Sequence, residues 1–127
     1  MKSLILAAFA LLTLGACRSK RADGPACYRG RLETKGICAN YTIKVLGANV
    51  DTSVALPRWR DEQTGIQHEN VFTPADPCAI PATMKEGDEF WFAVDDNANG
   101  AGCAQCRAYY PIPPKRVGIK MLSAPCN

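Results

Sequence analysis

The sequence predicts a small all-β domain stapled by disulfides, and three observations predict it. Apolar and polar residues alternate with a period of two in several short runs, whereas no stretch sustains a helical period. Ten glycines and nine prolines punctuate the 127 residues, the spacing of strands separated by turns. Six cysteines, Cys27, Cys38, Cys78, Cys103, Cys106 and Cys126, fall within residues 27–127. Their number is even, and cross-links compensate for the modest core that a chain of this size can bury. Many pairings are open to six cysteines, and the sequence selects none of them.

Each element follows from its own residues. Ile37, Ala39, Tyr41, Ile43 and Val45 form an apolar row opposite Cys38, Asn40, Thr42 and Lys44, which reads as the clearest strand. Residues 54–60 and 66–73 flank a polar connection, 61–65, that ends in Gly65, the pattern of a hairpin. Pro57 demotes the first of these strands to an edge or a bulge. Residues 72–82 hold three prolines and Cys78, an ordered loop pinned by a disulfide. Lys85-Glu86-Gly87-Asp88 is a turn, and residues 89–95 are rich enough in aromatics for a strand buried on both faces. Asn99-Gly100 and Gly102 mark a loop, residues 109–114 are broken by proline, and Val117, Ile119 and Met121 alternate as a closing strand. Five to seven short strands with little helix indicate a small antiparallel β-barrel, OB-like because one long early strand precedes a hairpin and later single strands. A β-sandwich is the alternative, although no immunoglobulin-type Cys, Trp, Cys core spacing is visible.

The amino terminus carries the strongest signal. Lys2 supplies a positive start, residues 4–14 an apolar run, and Gly15-Ala16-Cys17 a small-residue cleavage junction closed by a cysteine. This arrangement resembles a bacterial lipoprotein signal. The resemblance covers only the first 17 residues and implies cleavage between Ala16 and Cys17, with covalent lipid on Cys17 as the only attached group. The apolar run is too short for a membrane span, which takes about 20 residues, so the expected contact with the membrane is the lipid anchor. Arg18 follows the cysteine where the retention signal of inner-membrane lipoproteins has Asp, which favours the outer membrane. Residues 1–16 are thus expected as signal, 17–26 as lipidated Cys and tether, and 27–127 as one β domain. The chain's net charge of +3 falls by one when Lys2 is removed, too balanced for a nucleic-acid partner.

Candidate chemistry in the body is sparse. Cys103-Ala104-Gln105-Cys106 has thioredoxin spacing, but Pro111, Pro113 and Pro114 leave no room for the helix that activates such a thiol. A membrane-tethered thiol-disulfide oxidoreductase using Cys103 and Cys106 is therefore the second reading, behind structural disulfides. Asp95, Asn97 and Asn99, with Gly100 at the sixth position, match the first half of a calcium loop. The twelfth position is Cys106 rather than Glu, so a turn explains the same letters. His68 is the only histidine, and Ser53 and Ser123 sit in no nucleophile motif. Acidic pairs at Asp61-Glu62 and in residues 86–89 fall in turns, the usual place of solvated charge. Trp59, between Arg58 and Arg60, is expected to face outward, and Tyr109 and Tyr110 lie in a stiff extended segment. These three aromatics are the candidate binding surface for a protein, peptide or glycan. No cofactor motif is complete and no metal set is assigned, so the expectation is a non-enzymatic, lipid-anchored envelope protein.

Overall fold

The computed structural model describes residues 26–126. The expected signal junction at Ala16 and Cys17 and most of the expected tether lie outside the described residues. Seven strands follow in order: β1 (Cys27–Lys35), β2 (Tyr41–Leu46), β3 (Leu56–Arg60), β4 (Gln67–Pro74), β5 (Glu89–Val94), β6 (Arg116–Val117) and β7 (Ile119–Leu122). The only helical elements among the described residues are two single 3-10 turns, Ile37–Ala39 and Pro77–Ala79. An antiparallel path runs β3-β4-β2-β1-β5-β7, and β6 lies off it, parallel to β4. This path has free ends at β3 and β7. It is an open sheet, and the closed barrel expected from the sequence is not what this ladder alone makes.

The core sits on one face of that path. Leu32 of β1, Ile43 of β2, Phe72 of β4, Phe92 of β5 and Ile119 of β7 are fully or almost fully buried. Phe92 is its centre, with ring centroids 5.5 Å from both Tyr28 and Phe72 and 5.9 Å from Phe90. Burying such side chains is the main favourable term, roughly 1.5–3 kcal/mol each. Tyr41 and Phe90 are buried, as their apolar rows predict.

The strand pattern departs from the sequence expectation at identifiable places. β1, where the sequence reading assigns no strand, alternates Arg29, Arg31, Glu33 and Lys35 with Tyr28, Gly30, Leu32 and Thr34. It nevertheless occupies the middle of the path between β2 and β5, because Gly30 and Leu32 face the core and the charges project from the other side. The expected strand over 37–45 begins only at Tyr41. Cys38 and Ala39 both have φ +57°, a left-handed geometry incompatible with a strand, and the Asn40 amide donates back to the Ile37 carbonyl. Thr42, expected on the polar row, is fully buried. Residues 54 and 55 belong to a turn in which both amides donate to the Asp51 carbonyl, and the closing strand is split at Gly118 into β6 and β7. The hairpin β3-β4 forms as expected, with β3, the strand containing Pro57, at the edge of the path.

Three disulfides join Cys27 to Cys126, Cys38 to Cys106 and Cys78 to Cys103, with Cα separations of 5.7, 5.2 and 5.7 Å, respectively. These belong to an oxidising compartment outside the cytoplasm. No described helix is long and apolar enough to cross a membrane.

Candidate ligand-binding cleft

The three aromatics singled out in the sequence converge on one cleft, reached from two distant segments. The first is the β3-β4 hairpin. Asp61, immediately after β3, is only 3% exposed rather than solvated, and its carboxylate accepts from the Gln63 amide at 2.8 Å and the Thr64 amide at 3.2 Å. Its amide donates to the Ile66 carbonyl, and its carbonyl accepts from Gly65, whose φ of +74° closes the loop. Burial pushes the Asp61 carboxyl up, but the Gln63 and Thr64 hydrogen bonds and the nearby His68 outweigh it, so the group lies below the usual carboxylate range. This turn joins Trp59 and Arg60, at the end of β3, to Glu62 in the loop.

Trp59 is half-buried because it stacks on His68, its cross-strand partner, at 5.6 Å between centroids. His68 is held in turn by Glu33, 3.4 Å from its Nδ1, and Glu33 accepts a 2.8 Å bond from Arg31. The register of β1 against β2 slips between Leu32 and Thr34, a bulge that leaves Glu33 outside the ladder and free to reach His68. Burial raises the Glu33 carboxyl, whereas Arg31 and His68 lower it further, and the balance is downward.

The second segment is the strap of residues 103–114, which has no regular structure. Its start is tied to the rest of the fold by Cys103–Cys78 and Cys106–Cys38. Its end is laid along β4, where the Thr73 hydroxyl donates to the Pro113 carbonyl at 2.9 Å and the Thr73 amide to the Lys115 carbonyl at 2.8 Å. Prolines lack the amide that a ladder needs, so the strap packs by its rings, Pro111 and Pro113 buried and Tyr110 half-buried. Tyr110 lies directly over Gly36, where a Cβ would come within 2.5 Å of its ring and 2.7 Å of the Asn40 carbonyl. Tyr109 stands out, 78% exposed, and its hydroxyl donates to the Glu62 carboxylate, which pushes the phenol pKa up.

Between hairpin and strap lies a cavity of about 330 Å³, walled by Trp59, Arg60, Glu62, Tyr109 and Tyr110 over a floor of Pro111 and Ile112. A larger cavity of about 430 Å³ near Ala26 includes Tyr28, Asp51, Ser53, Asp96 and Arg116 but none of the candidate aromatics. Its Asp51 carboxylate is engaged by the Ser53 amide at 2.8 Å. Arg58 and Arg107 are exposed and do not line the aromatic cleft.

Other candidates separate. Cys103 and Cys106 are bonded to different, distant cysteines, so the local disulfide that a redox pair would cycle is not formed. Asp76, Cys78 and Cys103 bring potential metal ligands together, but the two sulfurs are bonded to each other and the Asp76 carboxylate accepts from the Cys78 amide. A disulfide offers no thiolate for zinc. Asp95 and Asn99 cap their own loop, accepting from the Asn97 and Ala101 amides at 3.0 Å each, and Asn97 is exposed beside them. That is the turn geometry their residue types favour. Sequence reasoning missed Gly36, Glu33 and the supporting role of His68, all of which act through contacts between strands far apart in the chain. No family model matches the chain, and no curated protein or solved structure does so.

Proposed function

We propose that this chain is a non-enzymatic lipoprotein of the bacterial envelope, anchored by lipid on Cys17 and presenting the Trp59, Tyr109 and Tyr110 cleft as its binding site. The observation that carries the reading is the convergence of three partly exposed aromatics, brought together by a hairpin and a doubly cross-linked strap, around one concavity. Trp and Tyr are enriched at binding interfaces because they combine an apolar ring with a polar tip, and concave sites with a few convergent polar groups are where small ligands bind. Outer-membrane residence follows from Arg18 after the lipidated cysteine.

The body is read as a small OB-like barrel. Residues 116–122 meet β4 on one side through β6 and β5 on the other through β7. The Thr73 and Ala75 amides donate to Lys115 and Val117, and the Asp95 amide donates to Gly118. With that segment counted as one strand, β1, β2, β4, β6/β7 and β5 follow one another round a ring. Slow hydrogen exchange at Thr73 and Ala75, comparable to that of β1, is the expected signature.

The anchor and the site are tested together in cells. Wild-type protein incorporates labelled fatty acid and Cys17→Ser incorporates none. A photo-reactive residue in place of Trp59 forms an adduct with an envelope component, whereas the same residue at exposed Lys120 on β7 does not. Unlabelled wild-type protein in the soluble fraction contradicts the anchor, and equal cross-linking at both positions contradicts the site.

A further inference from the structure

We infer that the aromatic cleft is half of a longer groove that takes a neutral oligosaccharide, one sugar on each side of the Tyr109–Glu62 bridge; this rests on the cleft being the binding site. A second cavity, of about 290 Å³, is lined by Glu62, Gln63, Tyr109 and Pro111. It shares Glu62, Tyr109 and Pro111 with the first, and two of these shared residues are joined by the Tyr109 hydroxyl's bond to Glu62. Each alone is at the lower edge of the roughly 300–1,000 Å³ typical of ligand sites, and joined they fall well within it. The bridge is made by two exposed side chains, and a solvent-exposed hydrogen bond is easily exchanged for one to a ligand.

The chemistry of the walls selects the ligand class. Trp59, Tyr109 and Tyr110 offer flat apolar faces, while Arg60, Glu62, Gln63 and the Tyr109 hydroxyl offer donors and acceptors at their edges. A pyranose ring has the complementary surface: an apolar face of C–H groups and a rim of hydroxyls that both donate and accept. Arg60 and Glu62 offset one another, so the groove has no net charge to attract a polyanion. Its apolar floor is made of Pro111 and Ile112, without the deep hydrophobic hole that anchors a peptide side chain. The supports behind the platform, His68 and Glu33 under Trp59 and Gly36 under Tyr110, keep the rings in place before a ligand arrives, which lowers the ordering cost of binding.

The test is titration calorimetry of the full-length protein in a sugar-free detergent with cellotetraose, chitotetraose and maltotetraose and with their monosaccharides. At least one tetrasaccharide binds, and it does so about tenfold or more tighter than its monosaccharide, corresponding to about 1.4 kcal/mol from the second subsite. Trp59→Ala abolishes binding. Lys120→Ala, at an exposed position of β7 that lines neither cavity, binds the tetrasaccharide as tightly as wild type. Failure of all three tetrasaccharides to bind at millimolar concentration overturns the inference, and so does equal affinity for monosaccharide and tetrasaccharide. A proline-rich or aromatic peptide that binds in their place and is lost in Trp59→Ala overturns the glycan while sparing the cleft. Ligand binding that survives both Trp59→Ala and Tyr110→Ala overturns the cleft as well.

Discussion

Asp61 organises the hairpin side of the site, because the loop is built around its buried carboxylate. Replacing it by Ala leaves the Gln63 and Thr64 amides without their acceptor, and the expected loss is about 1–3 kcal/mol in urea unfolding. The folded-state pKa is depressed, so the charge stabilises the fold above the unfolded-state value and that contribution is lost as pH falls through the folded value. The stability gap between wild type and Asp61→Asn should therefore be full at pH 6 and shrink below about pH 4; a gap that grows on acidification contradicts this assignment. Gly36 serves the site by having no side chain. Gly36→Ala collides with the Tyr110 ring and the Asn40 carbonyl, and a loss of roughly 1–3 kcal/mol with a changed near-ultraviolet circular dichroism signal is expected. Asp61 was legible in the sequence as a turn residue, although its burial was not. Gly36 was illegible, since its reason is a tyrosine more than seventy positions away.

At the scale of elements, β1 is where the sequence misleads and the fold depends most. It pairs with two strands, β2 and β5, yet its only fully buried large apolar residue is Leu32. Leu32→Ala is expected to cost about 2–5 kcal/mol, the range of a cavity at a fully packed site, and a loss below about 1 kcal/mol in denaturant unfolding contradicts the central position of β1. The hairpin was legible from its polar connection ending in Gly65 and β5 from its aromatics, although β4 is buried at four consecutive residues, 71–74, rather than at alternate ones. Period-two reading passed over β1, where Arg29, Arg31, Glu33 and Lys35 alternate with Tyr28, Gly30, Leu32 and Thr34, because the inward row holds only two large apolar side chains, Tyr28 and Leu32. It also extended β2 backwards through Cys38 and Ala39, where a disulfide to Cys106 holds a left-handed turn that no periodicity encodes.

At the scale of the molecule, the cross-links decide the architecture. The bridges span 99, 68 and 25 positions, and by loop-closure entropy each is worth roughly 3–5 kcal/mol, large against the total stability of a domain this size. Cys27–Cys126 clamps the ends of the body, while Cys38–Cys106 and Cys78–Cys103 fasten the strap that carries Tyr109 and Tyr110 to the cleft. The even cysteine count made three bridges legible, and the proposed export signal is chemically consistent with them; the pairing became legible only with the fold, because it depends on which turns the sheet brings together. The spacing of Cys103 and Cys106 suggested a redox pair, whereas the architecture gives each a separate structural task. Peptide mapping of the unreduced protein tests this account most directly. It predicts three cross-linked products, joining Cys27 to Cys126, Cys38 to Cys106 and Cys78 to Cys103, with no titratable thiol among these six, and a product joining Cys103 to Cys106 would contradict it.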